Sequence, residues 1–518
     1  MKQLILFAGI LFFTGSSSGQ NTWSSNVANI IYTKCSNCHN PNGIAPFSIM
    51  SYQDAVDNAT DIQDAVNNRV MPPWPPDPDY NHFAHERVLS QNEIDAISDW
   101  VNNGTDRGDS TTEPQPPVFT GASEITNPDL ILSAPVYNVN TTTDLYRCFV
   151  IPTGTSVDKF ITGIEAIPGN RSVVHHILIY SDTSSVPAQL DAADPDPGYT
   201  NFGGTGSNTS KLIGIWVPGQ VPYYSPNGMG IKLPANTNVI LQIHYLGGIN
   251  SQVDSTKIYL KLSTSPLREI AIDAPLNHYF LDNGPLIIPA NQVRTFTAHY
   301  TLNYAVSAMA VGPHMHLLGQ SIQSYGVTPT ADTIPFIDIP QWDFHWQGVY
   351  SFPRVLKIPS GTTLYSSATY DNTVNNPENP NDPPALVTLG ESTTDEMMLV
   401  YFAWTLYFPG DENIIVDSNI VASIEQPVTS NIVSTAQLYD PVPNPTTEKV
   451  TIQFFLPHQQ TYALQIFDLS GKLIREEKAD ERSGLITSQF DLHEISSGQY
   501  IIKLSTNDVS RTKKLIKD

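Results

Sequence analysis

The chain has 518 residues, 50 of them acidic against 26 basic, giving a net charge of −24, with 40% hydrophobic and 10% aromatic residues. At roughly 150 residues per domain this length predicts about three or four domains, each with enough apolar side chains to bury a core. The acidic balance excludes nucleic acid and an anionic membrane surface as partners.

The N-terminus has the order of a signal peptide over 1–19: Met1-Lys2-Gln3, an apolar run at 4–13 and small residues at 14–19. That run is too short to span a bilayer, and no later stretch approaches about 18 apolar residues. An exported protein with no transmembrane segment after signal removal is expected, with three cysteines.

Two of those cysteines stand in Cys35-Ser36-Asn37-Cys38-His39. In an exported chain, C-x-x-C-H signals covalent haem attachment through the two sulfurs, with the histidine as an iron ligand. Val27, Ile30, Ile31 and Cys35 recur at helical steps. Further on, Ser90-Gln91-Asn92-Glu93 reads as a capping box, Leu89 and Ile94 as its staple, and Ile94, Ile97 and Val101 as one helix face ending at Gly104. Between them the prolines of Arg69-Val70-Met71-Pro72-Pro73-Trp74 predict an extended loop, and Met71 is the expected sixth haem ligand, with Met50, His82 and His85 as rivals. Residues 21–109 resemble a small cytochrome c domain of the kind fused to copper monooxygenases.

A polar, Thr- and Pro-rich linker follows at 110–125. From 126 to 415 short alternating or β-branched runs, among them 173–180, 239–245, 257–262 and 398–408, are broken by Gly, Pro and Asn. They predict two tandem antiparallel β-sandwiches, 126–265 and 266–415, making the fold class mainly β. Within Pro313-His314-Met315-His316-Leu317-Leu318-Gly319, an extended strand would point His314 and His316 to one face, able to close on one metal ion. The adjacent pair His175-His176 would point to opposite faces, so a shared metal requires a bulge or a strand end there, with one ring ligating through Nδ1 and the other through Nε2. His244 lies on the run 239–245, and Met397 ends Thr394-Asp395-Glu396-Met397. Histidines joined by a thioether suit copper, because soft sulfur selects Cu(I).

The ordered set VVHHILIY, LQIHYLG, HMHLLG and TTDEM resembles the copper type II, ascorbate-dependent monooxygenases over roughly 126–415. The resemblance implies two copper ions: an electron-transfer copper on His175, His176 and His244, and an oxygen-binding copper on His314, His316 and Met397, with Met398 as the neighbouring alternative. It implies O2 and a small organic molecule as substrates, and ascorbate as reductant; the C-x-x-C-H haem offers a built-in donor instead. Tyr401 matches the pocket tyrosine of the family's peptide-hydroxylating members. Gly312 and Leu399 stand where those members have a carboxylate-binding arginine and an asparagine, so a substrate less polar than a glycine-ended peptide is implied. The family's disulfides are absent, and Cys148 is expected to be buried. His345, among aromatics, reads as a packed or rim residue, and His278 and His299 have no companions.

After a linker at 416–437, residues 438–518 carry 10 of the 26 basic and 11 of the 50 acidic residues, and strand-like runs alternate with turns at Asn444-Pro445, Ser470-Gly471 and Ser497-Gly498. A small Ig-like sandwich is predicted. PVPNPTTEKVTIQF, LQIFDLSGKLI, ISSGQYIIKL and KKLIKD resemble the C-terminal sorting domain of type IX secretion, implying that machinery as partner and a destination at the cell surface or outside. The whole reads as a secreted, copper-dependent monooxygenase with a fused haem; the alternative is a haem- and copper-holding electron-transfer or binding protein without a hydroxylation substrate.

Overall fold

A computed structural model describes residues 21–119, 121, 123–416, 436–438, 441, 444–469, 471–506 and 509–518. The signal-peptide stretch and most of the 416–437 linker lie outside the described residues. The chain divides into two compact units.

The first unit comprises the described residues up to Trp74 together with Arg87–Gly121. Its helices are Ala28–Lys34, Tyr52–Asp57, Ala59–Asn67 and Gln91–Asn102. Ser90 caps the last one as expected: its hydroxyl accepts from the Glu93 N–H, and its own N–H donates to the Glu93 carboxylate at 2.7 Å. The buried face of that helix differs from the expected one. Ile94, Ile97 and Trp100 are buried, and Val101 only packs against the cluster edge. Trp100 takes the inner position because its indole N–H finds the Asp106 carbonyl at 3.0 Å and its ring meets Trp23 at 6.0 Å. Residues 106–113, the approach to the expected linker, are tied to this unit through Trp23 N–H to Asp106 O and Trp23 Nε1–H to Glu113.

The second unit begins with Pro75–Glu86. That segment packs on β structure: Asp77 N–H donates to Asp338 O, Ala84 N–H donates to Ser351 O, and the Phe83 ring lies 5.8 Å from Phe352. The strands that matter for the site are β1 (Leu145–Pro152), β2 (Lys159–Ile167), β3 (Val174–Asp182), β4 (Lys211–Trp216), β5 (Asn238–Tyr245), β6 (Val306–His314), β7 (Tyr350–Ile358) and β8 (Leu399–Leu406). One sheet of the first sandwich runs Tyr199–Thr200, β1, β5, β3, β4, and β2 belongs to the sheet facing it. β5 is central and buried along nearly its whole length, which accounts for its continuous apolar sequence. In the second sandwich, Ala271–Asn277, β8, β6 and β7 form one sheet, and Gln292–Thr301, Thr363–Asn372, Gly319–Val327 and Thr333–Ile339 the other.

The expected mainly β architecture is present. The first sandwich runs a little past residue 265, since Arg268–Glu269 pairs in parallel with Met229-Gly230. Met309, Val355 and Val416 of the second sandwich join the core of the first, so the two share one apolar interior. Arg268 crosses between them to Asp411 with two contacts of 2.8 and 2.7 Å, and its guanidinium lies 3.6 Å over the Phe408 ring. In the tail, two long strands, Lys449–Asp468 and Leu473–Asp491, pair with each other, and Gly498–Thr506 and Ser510–Lys517 extend the same sheet around their own core.

Candidate metal centres

The register of β5 against β3 changes at the first histidine pair. His244 faces His176, and the next residue, Tyr245, faces Val174, leaving His175 as the extra residue of a bulge. A bulge cancels the alternation of adjacent strand residues and lets both rings turn to one side. His175 Nδ1 lies 3.1 Å from His176 Nδ1 and 3.2 Å from His244 Nδ1. Imidazole nitrogens bound about 2.0 Å from one ion in tetrahedral geometry stand about 3.3 Å apart, so the spacing is that of a three-nitrogen metal seat. The expected mixture of Nδ1 and Nε2 is not what the structure has: all three rings converge through Nδ1. The bulge supplies the reorientation that ring-flipped ligation was invoked to provide.

His244 is wholly buried, stacked on Tyr146 with centroids 4.2 Å apart, and its Nε2 lies 3.5 Å from the Asp144 carboxylate. Burial pushes the Asp144 carboxyl up, but His244, the Thr393 hydroxyl and the Gly247 N–H outweigh it and hold it well below the usual range. Asp144 therefore stays an anion behind the ring, a common arrangement for a ligating histidine. Burial, reinforced by neighbouring imidazoles, lowers His175 to about 3 and His176 far below its ordinary value, so both are neutral, the form that binds metal.

The second cluster is built where β6 ends. The strand stops at His314, so His316 lies beyond it in the turn toward Gly319 instead of two residues along a continuous strand. The rings are nonetheless 5.1 Å apart at 85°. His314 Nδ1 contacts Gln347 Oε1, and His316 Nδ1 contacts the Asp395 carbonyl at 3.1 Å. Both partners are acceptors, so Nδ1 carries the proton and Nε2 keeps the lone pair. Burial lowers His314 to about 4 and His316 to about 3.

Glu396 fixes this corner. Its carboxylate is fully buried and accepts from the N–H groups of His316 (3.0 Å), Leu318 (2.7 Å) and Met397 (3.1 Å). Met397 is buried to within 6% and lines the same cavity as His314 and His316. Met398 is fully buried and does not line that cavity; its backbone N–H donates to His278 Nδ1 at 3.3 Å. Tyr401, on β8 opposite Gly312, also lines the cavity.

One cavity of about 260 Å³ takes in His175, His176, His314, His316, Met397 and Tyr401. Phe344 stands between the clusters, stacked 5.1 Å from His175 and edge-on 6.0 Å from His316. His345, hydrogen-bonded to Asp343, and His278, which sequence reasoning left without a role, line the cavity as well. Sequence reasoning also missed Asp144, Gln347, Phe344 and Glu396. Only Glu396 carried a signal, its place beside Met397; the others come from distant chain positions.

The chemistry of the donor sets fits copper at both positions: three neutral imidazoles in one, two imidazoles with open Nε2 atoms beside a thioether in the other. In the first unit, His39 N–H and Cys38 N–H both donate to Cys35 O, neither cysteine is in a disulfide, and burial pushes the Cys35 thiol up to about 12. His39 Nδ1 lies 3.1 Å from the Phe47 carbonyl, so Nε2 keeps the lone pair that an iron ligand needs. This donor set fits a thioether-linked haem. Met71 sits partly exposed in the loop, Met50 is partly buried, and the exposed His82 and His85 belong to the Pro75–Glu86 segment of the second unit. Cys148 is fully buried and unpaired in any disulfide.

Among the solved structures similar to the chain are β-glucuronidases. That of Faecalibacterium prausnitzii is 8% identical with a TM-score of 0.13, covering 43% of this chain and 37% of that one. That of Ruminococcus gnavus is 8% identical with a TM-score of 0.12 over 44% of this chain and 36% of that one, and that of Parabacteroides merdae 8% with 0.12 over 43% and 27%. The chain thus spans little more than a third of these proteins at most, and a likeness at this TM-score carries no argument. No curated protein matches the chain. Two family models do: the copper type II ascorbate-dependent monooxygenase N-terminal domain over residues 130–250, which includes His175, His176 and His244, and the secretion system C-terminal sorting domain over residues 442–518. The sorting domain marks export by type IX secretion to the cell surface or beyond, and no described helix is long and apolar enough to cross a membrane. Residues 130–250, within the first sandwich, therefore match the N-terminal domain of the copper type II ascorbate-dependent monooxygenases, and residues 442–518 match a secretion system C-terminal sorting domain.

Proposed function

We propose that the protein is a secreted copper-dependent monooxygenase that hydroxylates a C–H bond of a small organic molecule with O2. The observation that carries this reading is that members of two unlike donor sets, His175 and His176 of the all-nitrogen one and His314, His316 and Met397 of the one with a thioether, line a single cavity. His175, His176 and His244 would hold one copper through Nδ1; His314 and His316 through Nε2, with Met397, would hold the other. Bound there, copper would supply O2 chemistry at the softer position and one stored electron at each, matching the two electrons hydroxylation needs beyond those of the C–H bond.

The chain's own groups set the conditions for this. Gln347 and the Asp395 carbonyl hold the protons of His314 and His316 on the far side of the rings. Asp144 does the same for His244. Phe344 places an apolar ring in contact with His175 on one side and His316 on the other. Cys35, Cys38, His39 and Met71 would hold a c-type haem as a built-in one-electron donor, with ascorbate as the external alternative. The domain boundaries 21–109, 126–265 and 266–415, amended by moving Pro75–Glu86 out of the first domain and Arg268–Glu269 into the first sandwich, are part of the same proposal.

Substrate-dependent O2 uptake with a stoichiometric hydroxylated product tests the reading. A protein that binds both coppers and reacts with neither O2 nor any member of a metabolite library would be the electron-transfer or copper-holding alternative. Mixing the reduced protein with O2 and substrate tests the haem route: a haem that stays ferrous while product forms excludes it.

A further inference from the structure

A second cavity of about 70 Å³ lies deeper between the two sandwiches. Its walls are mostly apolar, with Ile164, Ile179, Ile213 and Ile231 among them, and Gln220, Ser351 and the hydroxyl-bearing rings of Tyr223 and Tyr401 are neutral polar side chains on the lining. It shares Ile215, Gly312, Val349 and Tyr401 with the metal-lined cavity, so the two adjoin along one wall. Glu165 is the one charged residue on its lining, and that carboxylate is already occupied, accepting from the Ser123 hydroxyl and the N–H groups of Glu124 and Ile125. Neither cavity has a lysine or arginine on its lining.

Gly312 stands at the junction. A Cβ there would come within 3.3 Å of Val349 Cγ2, and the rest of any side chain would have to enter the space the two cavities share. Its negative φ does not demand glycine, so the missing side chain leaves an opening and does not merely relieve the backbone. A pocket with apolar walls and no cationic group recognises alkyl surface and rejects carboxylates, because a carboxylate moved there would lose hydration without gaining a partner.

We propose that the deeper cavity is a binding site for the alkyl tail of the substrate, reached past Gly312, and that the substrate class is a neutral molecule with an apolar chain. The substrate role rests on the monooxygenase reading above; the tail site itself does not.

The test is calorimetric titration of the full chain with 4-n-alkylphenols from methyl to hexyl. Each methylene entering the deeper cavity should tighten binding about fourfold until the cavity is filled. In Gly312→Val the increments should vanish while the methyl compound still binds. Ala403→Leu, at a residue that lines the second cavity and not the first, should end the increments at a shorter chain. In Met397→Ile they should persist, because the tail site lies apart from the metal donors. A flat series in the unsubstituted chain, increments that survive Gly312→Val and Ala403→Leu alike, or increments lost with Met397 would each overturn the tail site. Increments in a copper-loaded protein that hydroxylates neither these phenols nor any member of the metabolite library would instead refute the monooxygenase reading and leave the tail site standing.

Discussion

Replacing Glu396 by Gln should loosen one metal position and spare the other. In the native protein one carboxylate oxygen accepts from Leu318 N–H at 2.7 Å and the other from both His316 and Met397, at 3.0 and 3.1 Å. Burial drives this carboxyl up to about 8, and the surrounding backbone N–H groups oppose it. Because both oxygens already accept, a proton on either would point at a backbone N–H, and the anion is the form the contacts fit. A glutamine amide must turn its NH2 toward at least one of those donors. One or two charge-assisted hydrogen bonds are then lost, each worth about 1.5–3 kcal/mol. Two of the three donors, those of His316 and Met397, belong to residues expected on the same ion, so copper affinity there should fall about 10–100-fold, as for other outer-shell partners. The His175 cluster contains none of these groups and should keep its affinity. Equilibrium dialysis against a copper buffer, paired with thermal unfolding, reads both effects. Unchanged affinity for the second copper together with an unchanged melting temperature would refute the reasoning and show that Glu396 is protonated in the native state.

Met397→Ile keeps the bulk and removes the sulfur, so turnover should fall to background while the haem spectrum is retained; residual turnover within tenfold of the parent would take Met397 off the site. Arg268→Ala leaves the Asp411 carboxylate buried without its bidentate partner and should cost about 3–5 kcal/mol, lowering the melting temperature by on the order of 10 °C. A loss under about 1 kcal/mol in calorimetry would contradict that accounting. Asp182 is depressed in the folded state: burial raises it, but the hydroxyls of Ser184, Ser207 and Ser210 and the Ser184 N–H outweigh burial and hold it down to about 2. Its contribution is therefore fully present above about pH 4 and lost as pH falls toward 2, up to roughly 2 kcal/mol. Asp182→Asn should flatten stability across that window and leave it unaltered in slope near pH 7; an unflattened acid limb in urea titrations at each pH would contradict this.

The parts of this molecule legible in the sequence are those encoded by local periodicity. The Ser90 capping box, the β-branched runs of β3 and β5 and the two-histidine spacing at 314 and 316 each announce themselves within ten residues. The bulge at His175 was legible only as a requirement, since nothing in Val174-His175-His176-Ile177 states which residue is extra; pairing with β5 decides it. The end of β6 at His314 was hidden for a similar reason, because the Glu396 carboxylate that draws His316 and Leu318 out of the strand comes from about 80 positions away. Asp144 reaches its cluster from just before β1, and Phe344 and Gln347 from one short helical turn near 344–347, and an acid, amide or aromatic carries no mark of the imidazole it will meet. Pro75–Glu86 falls inside the stretch that resembles a cytochrome c domain yet packs on β structure, a long-range choice made by Phe83 and Asn81 finding partners near 335–352. The Arg268–Asp411 pair spans 143 positions and was not visible at all.

Six side chains should form two copper seats, five of the six lining one cavity and His244 standing behind it. Anomalous diffraction from crystals of the copper-loaded protein at the copper edge tests it most directly. The account predicts two peaks, one among the Nδ1 atoms of His175, His176 and His244 and one against His314, His316 and the Met397 sulfur. A single peak, or a second one away from Met397, would contradict it.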